Sequence, residues 1–258
     1  MTPDALLEFF DCVNNDKASH LVPRNSFAKI ILIFELAKGC RNFNIKIMSV
    51  NKDCNIKHLN LHLCRPGCWA ENELPLIEHN EVVPPPRLIS FKECKKSKDY
   101  EAGVHFYIDD VDFEQVWKNP ERYVGLLSKF ACVIMPDFSV YNDVAIPVQH
   151  WNIYRSRVLG MYWQSMGIKV IPTIPFAGYE FNCYATLGLP TDSIVAVSTV
   201  GSIRNRDKRV AFQSGLDVIW FHLRPRIILV YGDTTPFNFH EMKVYSYEQF
   251  KIQQKKCG

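Results

Sequence analysis

The sequence predicts an α/β fold: a mostly parallel sheet with helices on both faces, running β-α-β-α-β-α-β from about residue 104, plus a smaller mixed N-terminal module. Three observations predict it. Short β-branched or aromatic runs recur after Arg87, amphipathic stretches of helical length separate the later ones, and the last runs, VIPTI, IVAVST and IILVY, are apolar throughout instead of alternating. Strands interleaved with helices build parallel crossover units. Continuous apolar runs are what such strands need when both sheet faces are buried.

The elements follow in order. Thr2 can cap a first helix, with Pro3 at its first position and Leu6, Leu7, Phe9, Phe10 and Val13 at helical spacing. A second helix is expected over residues 26–38, stopping at Gly39, and a strand over 45–50. Regular patterning fades from residue 51 to Pro84-Pro85-Pro86, which can continue neither a helix nor a central strand. That places a boundary between an N-terminal module, residues 1–86, and an α/β domain, residues 87–258. Strands are expected at 88–91, 104–108, 132–135, 169–174, 194–199 and 226–231, with helices at 113–130, 147–166 and 205–223. In the second of these helices Val148, Trp151, Val158, Leu159, Tyr162 and Met166 form the expected apolar stripe, and Gly167 its stop.

Composition sets outer limits. With 258 residues, 47% hydrophobic and 22% charged, the chain has ordinary globular make-up and enough length for a large core. A net charge of +3 is too small to dictate a nucleic-acid partner, and the basic runs at 92–98, 204–209 and 251–256 read as solvated surface. Met1-Thr2-Pro3-Asp4 has no basic region ahead of an apolar stretch. The most apolar window, residues 27–36, is broken by Lys29 and Glu35 and falls short of the roughly 20 residues a bilayer requires. These features predict no membrane association and a cytoplasmic location. The nine scattered cysteines also suit a reducing compartment.

The stretches GVHFYIDD (103–110), MPDFSVYNDV (135–144), WNIYRSRVLGMYWQSMGIKVIPTI (151–174), VAVSTVG (195–201) and ILVYG (228–232) resemble, in that order, a family of bacterial, phage and mobile-element proteins catalogued as domain of unknown function 4417. The likeness covers roughly residues 87–233. It implies a phage or mobile-element setting and an α/β fold, and it carries no established activity.

Function candidates come from the strand ends. In parallel α/β sheets, loops at the carboxyl ends of strands converge where ligands bind. The expected strands end on Asp109 and Asp110, on Asp137 and Ser139, on Thr173 with Glu180 further along, on Ser198 and Thr199, and on Tyr231 and Asp233. The carboxylates among them, Asp137 and Glu180 with Asp109, Asp110 or Asp233, can hold a divalent metal or act as a general base, as a hydrolase or phosphoryl-transfer enzyme requires. The same residue types also start turns and cap helices. Gly201 permits close backbone approach after a hydroxyl-rich turn, so a phosphate can sit there before the helix at 205. Asn152 and Arg155 share a helix face, where Arg155 can fork onto a phosphate or pair with a neighbouring acid. The favoured reading is a mobile-element accessory protein binding a phosphorylated ligand, nucleotide or nucleic acid. A protein-interaction scaffold is the third reading, favoured if Phe138, Tyr141, Phe176 and Tyr179 fill the sheet edge.

The segment CNIKHLNLHLCRPGC gathers Cys54, His58, His62, Cys64 and Cys68, soft donors able to close a structural zinc site. The spacing matches no standard finger, and alternation along 56–64 equally suits a plain strand. His105, His150 and His222 have no partner visible in the sequence and read as structural.

Overall fold

The computed structural model describes residues 57–64, 69–70, 73–79, 81–141, 143–177 and 179–248; the helices expected at 2–13 and 26–38, the strand at 45–50, Cys54 and Cys68 lie outside the described residues. The described chain opens with two short 3-10 turns, Lys57–Leu59 and Leu61–Leu63, where a zinc loop or a strand was expected. Leu63, Leu74 and Ile77 are then buried in the same core as the helices and strands that follow.

Seven strands stand among the described residues: β1 (Leu88–Ser90), β2 (Gly103–His105), β3 (Cys132–Ile134), β4 (Val170–Ile171), β5 (Ile194–Ser198), β6 (Ile227–Tyr231) and β7 (Lys243–Tyr247). Every pair is parallel. Four form one ladder in the order β1-β2-β3-β4 and three another, β5-β6-β7. The ladders join at a parallel bridge between Thr173 and Ala196, where the Ala196 amide donates to the Pro172 carbonyl at 2.9 Å. Pro172 has no amide to give, which is why β4 ends there and the join narrows.

Six helices connect them: α1 (Phe91–Cys94), α2 (Asp110–Lys118), α3 (Glu121–Leu127), α4 (Ile146–Ser165), α5 (Tyr179–Thr186) and α6 (Arg206–Leu223). The helix expected over 113–130 is two, because Pro120 forces Asn119 out of the helical region, to φ −143° and ψ 65°. α1 starts on a capping box in which the Ser90 hydroxyl accepts from the Glu93 amide and the Glu93 carboxylate accepts from the Ser90 amide.

Strand residues sort by parity. Val104, Val133, Val170, Val195, Val197, Ile228 and Val230 share a core with residues from all six helices. Cys132, Ile134, Ile171, Ile194, Ala196 and Leu229 form a second core with Tyr107, Tyr245 and Tyr247 and without any helix residue. Strands laid down in sequence order with same-handed crossovers put their helices on one side. The other side is covered by curvature: the rings of His105 on β2 and Tyr231 on β6 approach to 4.3 Å, although strands four places apart in a flat sheet lie about 19 Å apart. The Tyr247 hydroxyl donates to the Pro85 carbonyl at 2.8 Å, bringing the last strand back beside the chain ahead of the first. From β2 to β6 the sheet is thus buried on both faces, by helices on one and by its own barrel-like curl on the other, which refines the expectation that helices cover both.

α4 departs most from its expected packing. Val148 and Met166, placed on the apolar stripe, are 47% and 49% exposed, while Gln149, Asn152, Arg155, Ser156 and Arg157 are buried. Among the described residues no helix is long and apolar enough to cross a membrane.

Candidate functional site

The buried polar face of α4 is a clamp on the loop that follows β3. Ser156 donates to the Pro136 carbonyl (2.7 Å), Asn152 to the Ser139 carbonyl (2.6 Å), and Gln149 to the carbonyls of Tyr141 (3.0 Å) and Val144 (2.7 Å). From the other side the Asp110 carboxylate, in the first turn of α2, accepts from the Ser139 amide at 3.1 Å and hydroxyl at 2.9 Å. Arg155 lies over the Phe138 ring at 3.8 Å and donates to Glu114 (2.8 Å) and to the Asn152 side chain (2.7 Å). The loop carbonyls and amides therefore find partners in side chains, as buried backbone requires.

This braced loop forms one wall of a pocket of about 550 Å³ over the ends of β3, β4 and β5. Asp137, Ser139 and Tyr141 come from the loop, Phe176 from the β4–α5 connection, Ser198, Gly201 and Ser202 from the β5–α6 turn, and Lys208 from the first turns of α6. Gly201 sits at φ 84°, a conformation that favours glycine. Asn205 caps α6 by accepting from the Lys208 amide at 2.9 Å, and this 18-residue helix meets the pocket along its side, through Lys208, Ala211 and Phe212. Lys208 makes no ion pair with any described residue.

Asp137 is the unusual group. The residue lines the pocket, and its Oδ1 is sealed from solvent with no hydrogen-bond partner. Burial, with the neighbouring Asp110 adding to it, pushes its pKa up to about 7. Beside it, inside the curl, Tyr107 shares a hydrogen bond with the Thr173 hydroxyl at 3.0 Å, and its ring stacks on Tyr231. His105 completes this group. Burial drops its pKa to about 4, so the ring is neutral, and because Nδ1 accepts from the Tyr107 amide the proton sits on Nε2.

The pocket gathers Asp137, Ser139, Ser198 and Gly201 out of the residues expected from the sequence. Asp110 adjoins through Ser139. Thr173 and Tyr231 are buried in the curl, and Thr199 is buried beneath the turn instead of facing the pocket. Arg155 and Asn152 are engaged within the protein, Arg155 by Glu114, the acid pairing weighed for it, and Asn152 by the loop. Asp109 and Asp233 are exposed; Asp233 accepts from the Thr235 amide. Glu180 starts α5, and its side chain lies outside the described residues. No three His, Cys, Asp or Glu side chains among the described residues come together as a metal group. His62 contacts Glu121 at 3.2 Å and His58 is exposed. Phe138, Tyr141 and Phe176 line the pocket without filling it.

Lys208 and the His105–Tyr107 pair are what sequence reasoning missed. Lys208 lay in a basic run read as solvated surface, though its place one turn into a helix after a strand–turn was a usable signal. His105 gave none, because its partner strand is four places away.

Fold and pocket together define an α/β protein whose candidate site stands at the carboxyl edge of a curled parallel sheet. Residues 68–251 match the family described as Domain of unknown function (DUF4417), and the chain belongs to that family. It is 32% identical over 194 residues to the Gene 1 protein of Mycobacterium phage D29, a match covering 72% of this chain and 71% of that one. To the Gene 1 protein of Mycobacterium phage L5 it is 33% identical over 164 residues, 62% of this chain and 71% of that one. No solved structure matches the chain.

The clamp carries a direct prediction. Asn152→Ala leaves the Ser139 carbonyl unpaired and frees one arm of Arg155, at a cost of about 1–3 kcal/mol for a buried unsatisfied group. Amide hydrogen exchange should quicken across residues 137–141 and stay unchanged in β5 and β6; uniform exchange would remove the bracing role.

Proposed function

We propose that the protein binds a phosphorylated ligand of nucleotide size in the pocket over β3–β5, as a phage or mobile-element accessory protein. The observation that carries this reading is an unengaged cation, Lys208, lining one pocket together with the Ser198–Gly201–Ser202 turn. A lysine with serine hydroxyls and a glycine turn beside it favours phosphate oxygens. The volume of about 550 Å³ falls in the range of small-molecule sites. Phe176 and Tyr141 offer apolar walls to a heterocycle or sugar, and the phage setting of the relatives makes nucleotides the natural class.

A thermal-shift panel of nucleoside mono-, di- and triphosphates and short oligonucleotides tests it. A ligand present at about 100 times its Kd stabilises by about 2.7 kcal/mol, a visible rise in midpoint. Lys208→Ala should cost about tenfold in affinity without altering the unliganded midpoint, because Lys208 is exposed and unpaired. A flat response to every compound removes the reading.

A further inference from the structure

Asp137 is out of place in a pocket for anions. An ionised carboxylate in the same pocket as Lys208 would draw the cation away from the ligand or repel the ligand, and no Asp137–Lys208 ion pair is formed. The nearest carboxyl is another acid, Asp110, whose oxygens already accept from the Ser139 amide and hydroxyl. Oδ1 of Asp137 is closed off from water and unpartnered. No basic group compensates this carboxyl, so an acid in such surroundings favours keeping its proton, and with Oδ1 sealed it is Oδ2 that is left to meet a ligand.

We propose that the pocket takes up its anionic ligand together with a proton carried by Asp137, whose neutral carboxyl donates a hydrogen bond to a phosphate oxygen while Lys208 supplies the charge. The proposal rests on the phosphate reading of the pocket and adds how the site discriminates. A fully deprotonated phosphodiester oxygen accepts from a carboxylic acid and is repelled by a carboxylate. The other titratable groups around Asp137 are Asp110 from α2, Tyr107 after β2, Lys208 from α6, and Tyr141 and Asp143 from its own loop. Burial pushes the Tyr107 phenol up, so it stays protonated. With the Asp137 carboxyl at about 7, its proton is the one exchanged near neutrality.

The expected consequence is an affinity that falls by up to about tenfold per pH unit above about pH 7 and levels off below it. The test is a calorimetric titration of the full chain in two buffers of unlike ionisation heat, between about pH 6 and pH 8. The probes are cyclic AMP and inorganic sulfate, neither of which changes charge over that range. Wild type should absorb close to a full proton per ligand at the alkaline end. Asp137→Asn, which keeps a donor at that position, should bind with no proton uptake and with a flat pH profile. Lys208→Ala should bind more weakly at every pH and still absorb the proton, so the proposal remains testable if Asp137→Asn folds poorly. Intact wild-type binding with a flat profile and no proton exchange overturns the proposal while leaving the pocket reading in place. If neither probe binds at any pH, both fall.

Discussion

Asp137→Asn should raise the unfolding midpoint at neutral and alkaline pH and leave it nearly unchanged near pH 4. The carboxyl goes from an ordinary value of 3.8 in the unfolded chain to about 7 in the folded protein. Between those values the folded state binds more protons than the unfolded state, so stability falls as pH rises through the window and stays low above it. A displacement of that size is worth on the order of a few kcal/mol. Asparagine carries no charge to bury and recovers most of it. Urea denaturation of both proteins across the pH range measures the effect directly: the two curves should coincide in acid and diverge toward neutrality. Parallel curves would mean that Asp137 is charged and solvated in the folded protein.

Arg157→Ala should be the most damaging single truncation in the sheet domain. Arg157 is 1% exposed, in the middle of α4, and its guanidinium donates to the carbonyls of Ala185 and Leu187 at the end of α5. Those are end-of-helix carbonyls without a partner of their own. Burial lowers its pKa to about 9, still charged at neutral pH, with the nearby Tyr184 acting the other way. Truncation leaves a large cavity and orphans the carbonyls, at about 3–5 kcal/mol. For a chain of this size that corresponds to a drop of roughly 10 °C or more in midpoint. Arg157→Lys should recover part of the loss, keeping a charge and one donor. Calorimetric melts that show no difference between wild type and Arg157→Ala would contradict this role.

The two residues show where sequence reasoning stops. Strands β1 to β6 were legible as short apolar runs, most of them next to Pro, Gly or Asp, though their ends were not: β4 keeps only Val170–Ile171 of the expected 169–174. β7 was not. It is an edge strand with Lys243 and Ser246 exposed, and nothing marks it until its tyrosines pack into the curl. α4 was found, but its face was misjudged: hydropathy sends Asn152, Ser156 and Arg157 to solvent, whereas the loop after β3 and the end of α5 need their hydrogen bonds. α1 was not found: residues 88–91 were expected as strand, whereas Phe91 opens a helix capped by Ser90 and Glu93 that is too short to show as a period.

The candidate site was half legible for a similar reason. The rule that ligands meet strand ends reaches Asp137, Ser139, Ser198 and Gly201 without a structure. It cannot say which strand ends face the helices and which turn into the curl, and this separates Ser198 from Tyr231. Nor does it reveal that Arg155 is spent on Glu114. Such facts depend on curvature and on contacts between residues far apart in sequence.

Hydrogen exchange with and without a saturating nucleotide tests the pocket most directly, because it reports where on the chain a ligand acts. The account predicts slowed exchange confined to three segments, residues 137–141, 174–177 and 198–211, with the amides after Ser198 and at the start of α6 most protected. Protection elsewhere, or none in the presence of any nucleotide, would contradict a phosphate site at the carboxyl edge of this sheet.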